Sequence, residues 1–93
     1  MSALFQPFKL KDVTLRNRIA VPPMCQYRAV EGLVNEWHWV HLASLARGGA
    51  GLVIVEATAV APEGRITPGC AGIWNAELAQ AFAPAVAAIK AAG

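Results

Sequence analysis

Ninety-three residues allow at most one small domain. Eight basic and six acidic side chains give a net charge of +2, with no basic stripe to track a nucleic-acid backbone. Hydrophobic residues make up 56% of the chain, much of it alanine, but no apolar run approaches the ~20 residues of a membrane span.

The N-terminus lacks the charged, apolar and cleavage regions of an export signal. Cys25 and Cys70 stand 45 positions apart without metal-ligand spacing, which implies reduced thiols, no metal and a cytosolic location. From Leu4 to Leu15, apolar and polar side chains mix around Lys11-Asp12, predicting a short hairpin. Ile19-Ala20-Val21 follows as a short buried strand, ended by Pro22-Pro23 because proline offers no N–H to a ladder. Residues 24–35 read as a loop with a turn at Glu31-Gly32. Glu36 to Arg47 reads as a helix, with Asn35 to cap its start and Gly48-Gly49 to end it. Trp37, Val40, Ala43-Ser44 and Leu45 fall on or near one face of that helix.

Gly51 to Val60 is the clearest strand. Its centre, Leu52-Val53-Ile54-Val55, is apolar at consecutive positions, which predicts cover on both faces, as in a parallel sheet. A loop with Pro62, Gly64, Pro68 and Gly69 follows, then a second helix from about Asn75 to Ala92. Leu78, Phe82, Val86 and Ile89 recur along that helix, and Pro84 marks a kink or restart. Hairpin, strand, helix, strand, helix is the order of an α/β chain of parallel βα units. Two units do not complete a stable parallel sheet, and an eight-unit barrel takes about 250 residues. The chain therefore reads as incomplete, the opening of a larger body with a third strand to follow.

In such folds functional groups gather where strands end. The first strand end is Pro22 to Tyr27; the second is Glu56-Ala57-Thr58 with the loop through Arg65. Cys25 reads either as a small packing residue or as a thiol beside a bound cofactor. Tyr27 reads either as a half-exposed packing ring or as a hydroxyl for a substrate carbonyl. Met24 suits packing, with a polarizable thioether that would also suit a flat aromatic ligand. Gly48-Gly49-Ala50-Gly51 follows a helix and opens a strand, the reverse of a phosphate loop, so its reading is structural. His38 and His41 lack a third ligand nearby in sequence. Arg65 reads as a loop brace, and Glu56 as a hydrogen-bonded structural acid.

Seven segments, in order along nearly the whole chain, resemble the Old Yellow Enzyme family of FMN-dependent ene-reductases. They are Leu4-Phe5-Gln6-Pro7, Leu15-Arg16-Asn17-Arg18-Ile19, Pro22-Pro23-Met24-Cys25-Gln26-Tyr27, Arg47-Gly48-Gly49-Ala50-Gly51-Leu52, Val55-Glu56-Ala57-Thr58-Ala59-Val60, Gly64-Arg65-Ile66-Thr67 and Gly72-Ile73-Trp74. Cys25, where another large branch carries threonine, is similar to the xenobiotic reductase A-like branch. The resemblance implies the N-terminal hairpin, residues 1–17, and the first two βα units of a (β/α)8 TIM barrel. Residues 1–93 would be the opening part of one flavin-binding domain. It implies FMN lined by Pro23, Met24, Cys25 and Ala57, with Cys25 tuning the flavin and Tyr27 holding the substrate. It implies hydride passing from NAD(P)H through FMN to an activated alkene, such as an α,β-unsaturated carbonyl or nitro compound. It also implies a homo-oligomer once complete. The family's paired oxyanion donors, proton-donating tyrosine and phosphate-binding loops lie beyond the second helix, and His38 and His41 do not match them. A second reading is a short non-catalytic chain that assembles with other chains through exposed sheet edges.

Overall fold

Lys11-Asp12 reverses the chain, with Lys11 at φ 53°, and the flanking residues pair antiparallel as β1 (Phe8–Leu10) and β2 (Val13–Leu15). This hairpin lies inside the expected 1–17 region. The structure, a computed structural model, describes residues 2–93; Met1 lies outside the described residues.

β3 (Ala20–Val21) runs parallel to β4 (Leu52–Val53), with Ala20 opposite Leu52 and Val21 opposite Val53. The last bond of this ladder runs from the Ile54 N–H to the Val21 carbonyl at 3.0 Å. Pro22 and Pro23 follow with no N–H to donate, so regular pairing stops there. The connection between β3 and β4 is α1, Glu36–Arg47, with the predicted bounds. Asn35 accepts from the Trp37 N–H through Oδ1, and the Asn35 N–H donates to His38 Nδ1, a reciprocal capping box. Within the preceding loop, Glu31 and Gly32 both take positive φ and close a tight turn that bridges Val30 to Leu33.

The second half departs from the prediction in two ways. Gly51 to Val60 is not one strand. β4 ends at Val53, and β5 (Thr58–Ala59) pairs separately, in parallel, with β6 (Ala71–Gly72). Nor is the apolar run covered on both faces: Leu52, Ile54 and Val55 are exposed. The helical stretch from Asn75 restarts, as Pro84 predicted: it forms α2 (Ala76–Ala81) and α3 (Ala83–Ala91), meeting at Phe82. Pro84 sits in the first turn of α3, where its missing N–H costs no helical bond. Asn75 caps α2 by accepting from the Leu78 N–H at 2.9 Å.

The buried face of α1 also differs. His38, Leu42 and Ala46, four residues apart, are buried, while Trp37 and Val40 face outward. Packing of α1 against α3 and β4 selects that stripe over the more hydrophobic one. On α3 the buried residue is Ala85, and Val86 is exposed. The core proper is small: Ala29, Val34 and Ala71, with Ala81 and Phe82 packed on it. The Trp39 indole N–H ties α1 to the end of α2 through the Ala81 carbonyl at 2.8 Å. The radius of gyration is 14.4 Å, against about 12 Å for a compact chain of this length. The molecule is elongated, 47 × 22 × 21 Å, and many large apolar side chains are uncovered.

Where β3 and β4 begin, backbone carbonyls are tied down. Arg16 donates to the carbonyls of Ala46 (2.6 Å), in the last turn of α1, Ala50 (2.9 Å), in the turn before β4, and Ala92 (2.7 Å), just past α3. Asn17 donates to the Gly49 carbonyl at 2.6 Å and accepts from the Ile19 N–H at 3.0 Å. Gly51 packs so closely on Asn17 that a Cβ there would lie 2.6 Å from the Asn17 carbonyl oxygen.

Candidate functional site

The opposite end of the same strand pair carries the residues singled out in sequence. Cys25 and Ala57 each lie four positions past the last paired residue of their strands, Val21 and Val53. Parallel strands leave a sheet in the same direction, so the two segments run out side by side. Pro23 and Ala57 are exposed, Met24 is 45% exposed, and Cys25 is half-buried with a free thiol. The exposed side chains past the two strand ends are apolar: imino acids, a thioether and one small side chain. Its nearest carboxylate in sequence, Glu56, is turned inward and is 8% exposed.

Gln26 braces this segment. Its Nε2 donates to the Met24 carbonyl at 2.9 Å, and its Oε1 accepts from the Trp37 indole N–H at 3.0 Å. Tyr27 is 56% exposed and adopts φ 57°, a left-handed conformation that a large aromatic residue takes only when its surroundings impose it. The surroundings are visible. Gly69 presses against the Tyr27 backbone, where a Cβ would lie 2.9 Å from its carbonyl oxygen, and the Ala29 N–H donates to the Gly69 carbonyl at 3.1 Å. On the other side, Asn35 Nδ2 donates to the Arg28 carbonyl at 2.8 Å. The Arg28 guanidinium lies over the Trp37 ring, 4.2 Å from its centroid.

Arg65 serves its own loop, donating to the Pro62 carbonyl at 2.9 Å and stacking toward Trp74. Cys70 is buried; hydrogen bonds from the Thr67 hydroxyl and amide hold its thiol below the ordinary value. Among the described residues no cluster of three or more His, Cys, Asp or Glu could hold a metal ion, and no helix is long and apolar enough to cross a membrane.

The pair that sequence reasoning missed is His38 and Glu56. Their Nε2 and Oε2 atoms are 3.7 Å apart, with side chains 2% and 6% exposed. His38 Nε2 and Glu56 Oε1 have no hydrogen-bond partner among the described residues. Glu56 is therefore not the fully hydrogen-bonded acid the sequence suggested. The spacing of His38, Leu42 and Ala46 is legible in the sequence, but its facing Glu56 is not. Burial lowers the His38 pKa from 6.5, outweighing the pull of Glu56; His41 lowers it further.

Residues 3–93 match the family model described as "NADH:flavin oxidoreductase / NADH oxidase family". The chain belongs to the NADH:flavin oxidoreductase / NADH oxidase family. A protein of Listeria welshimeri named NADPH dehydrogenase is 52% identical over 79 residues, covering 83% of this chain and 23% of that protein. One of Bacillus pumilus with the same name is 48% identical over 92 residues, covering 97% of this chain and 27% of the relative. The chain thus spans about a quarter of the length of these NADH:flavin oxidoreductase relatives. Among solved structures, the old yellow enzyme homologue from Zymomonas mobilis superposes with a TM-score of 0.88 at 33% identity, over 99% of this chain and 26% of the other. Morphinone reductase in complex with tetrahydroNAD gives 0.87 at 28% identity, over 100% and 25%. The NADH:flavin oxidoreductase chain described here is thus an Old Yellow Enzyme-type α/β chain, as the motif order implied.

Proposed function

We propose that the full-length protein is an FMN-dependent ene-reductase of the NADPH dehydrogenase type. The observation that supports this reading is the parallel register of β3 and β4, which sends the segments after Val21 and Val53 out of the sheet in the same direction in a chain of this family. The residues fit a flat ring. Pro23, Met24 and Ala57 offer an exposed apolar wall with no buried charge in it. In this reading Pro23, Met24, Cys25 and Ala57 line FMN, and the Cys25 thiol, a weak and polarizable donor, tunes it. Tyr27 presents its hydroxyl to the substrate oxygen, where negative charge develops during the reaction. FMN, when bound there, would supply the redox chemistry between NAD(P)H and the β-carbon of an α,β-unsaturated carbonyl or nitroalkene.

Residues 1–93 are, in the same proposal, the hairpin and first two βα units of one flavin-binding (β/α)8 barrel domain. The uncovered Leu52, Ile54 and Val55 support this, since they are positions that further strands and helices of a barrel would cover. The complete protein acts in the cytosol as a homo-oligomer. Purified full-length protein should be yellow, release FMN on denaturation and oxidise NADPH in the presence of 2-cyclohexenone. A folded, colourless protein that takes up no added FMN would refute the reading. Intact mass and size-exclusion chromatography test the domain and the oligomer.

A further inference from the structure

The first turn of α1 touches both walls of the candidate site. Toward the first wall it holds Gln26 through the Trp37 indole, the Arg28 carbonyl through Asn35 and the Arg28 guanidinium through the Trp37 ring. Toward the second wall it holds only His38, aimed at Glu56, the residue immediately before Ala57. The ring's protonation is fixed locally. His38 Nδ1 accepts from the Asn35 N–H at 3.1 Å, so the neutral ring carries its proton on Nε2, facing the carboxylate at 3.7 Å. The Glu56 backbone is pinned in turn by the Thr58 hydroxyl, which donates to its carbonyl at 2.8 Å. Two buried polar groups with unmet capacity thus face each other at 3.7 Å, and an approach of about 1 Å would make a charge-assisted hydrogen bond.

We propose that His38 and Glu56 are positioning residues: their buried pair holds the Ala57 strand end in register with the Met24–Tyr27 segment, through the first turn of α1. Neither touches the ligand. Both act by fixing the separation of the walls between which it sits. This inference rests on the FMN reading of those walls.

The test uses the full-length protein with FMN and the variants His38→Leu, Glu56→Ala, the double variant and the near-isosteric Glu56→Gln. Each truncation should weaken FMN binding about tenfold, the effect of leaving one buried polar group unpaired, and should shift the visible absorption of the flavin that remains bound. The double variant should be no worse than the worse single one, and Glu56→Gln, which keeps an acceptor oxygen, should restore most of the affinity. Lower thermal stability with unchanged FMN affinity and spectrum, or strictly additive losses, would overturn the proposal. Hydrogen exchange separates its failure from that of the FMN reading. With or without flavin, His38→Leu should speed amide exchange in residues 26–28 as well as 56–60. Faster exchange at 56–60 alone would reduce the pair to a local contact, even in a protein that binds no flavin.

Discussion

Where β3 and β4 begin, Arg16 and Asn17 tie four backbone carbonyls, those of Ala46, Gly49, Ala50 and Ala92, and Gly51 lets two chain segments touch. Where the same strands end, Pro23, Met24, Tyr27 and Ala57 stand exposed on short unpaired segments. One end satisfies its polar backbone from within the chain; the other presents apolar surface outward. In the proposed reading, stability and ligand contact belong to opposite ends of one strand pair. Substitutions at the two ends should therefore move different observables.

The largest loss of stability belongs to the tied end. Arg16→Ala removes charged hydrogen bonds to three carbonyls and should cost about 3 kcal/mol, read by urea unfolding of the full-length protein, with the flavin spectrum of the folded fraction unchanged. Gly51→Ala forces a Cβ into Asn17 and should cost about 2 kcal/mol in the same measurement. A flavin potential that moved with either change would break the separation of roles. A pH effect follows from the pair between the ends. The folded-state pKa of His38 is below 6.5, so on acidification the unfolded chain takes up the proton first. Stability from this group is therefore complete above pH 6.5 and falls as pH drops below it, until the folded-state value is passed. Glu56 and His41 are the titratable groups acting on it, and His38→Gln should remove this part of the pH dependence in denaturant titrations. The smallest stability effect belongs to the open end: Cys25→Ser should change unfolding free energy by less than about 0.5 kcal/mol, yet shift the reduction potential of bound FMN. An unchanged potential would remove the tuning role.

Much of this organisation was legible because its causes are local. Asn35, Gly48-Gly49, Lys11-Asp12 and Pro22-Pro23 carry their structural instruction in their own side chains, and α1 begins and ends where they direct. The features that escaped are those decided by distant partners. Trp37 and Val40 are more hydrophobic than His38, yet it is His38 that is buried, facing Glu56. β6 has two residues in a stretch rich in glycine, too short for any periodicity to reveal. Pro84 was visible as an interruption, but the division at Phe82 depends on how α2 and α3 pack. For the candidate site, position alone left Cys25 and Tyr27 open between packing and chemistry; the ordered motifs carried their assignment. The left-handed backbone of Tyr27 was not legible, since it follows from Gly69, 42 positions away.

The two prolines after Val21 have a consequence for solubility. An exposed apolar strand end is ordinarily a template on which another chain can add a strand. Two successive residues without an N–H, Pro22 and Pro23, deprive that template of donors immediately before the exposed Met24. The wall can therefore stay open to a small flat molecule while being a poor seed for intermolecular β-pairing.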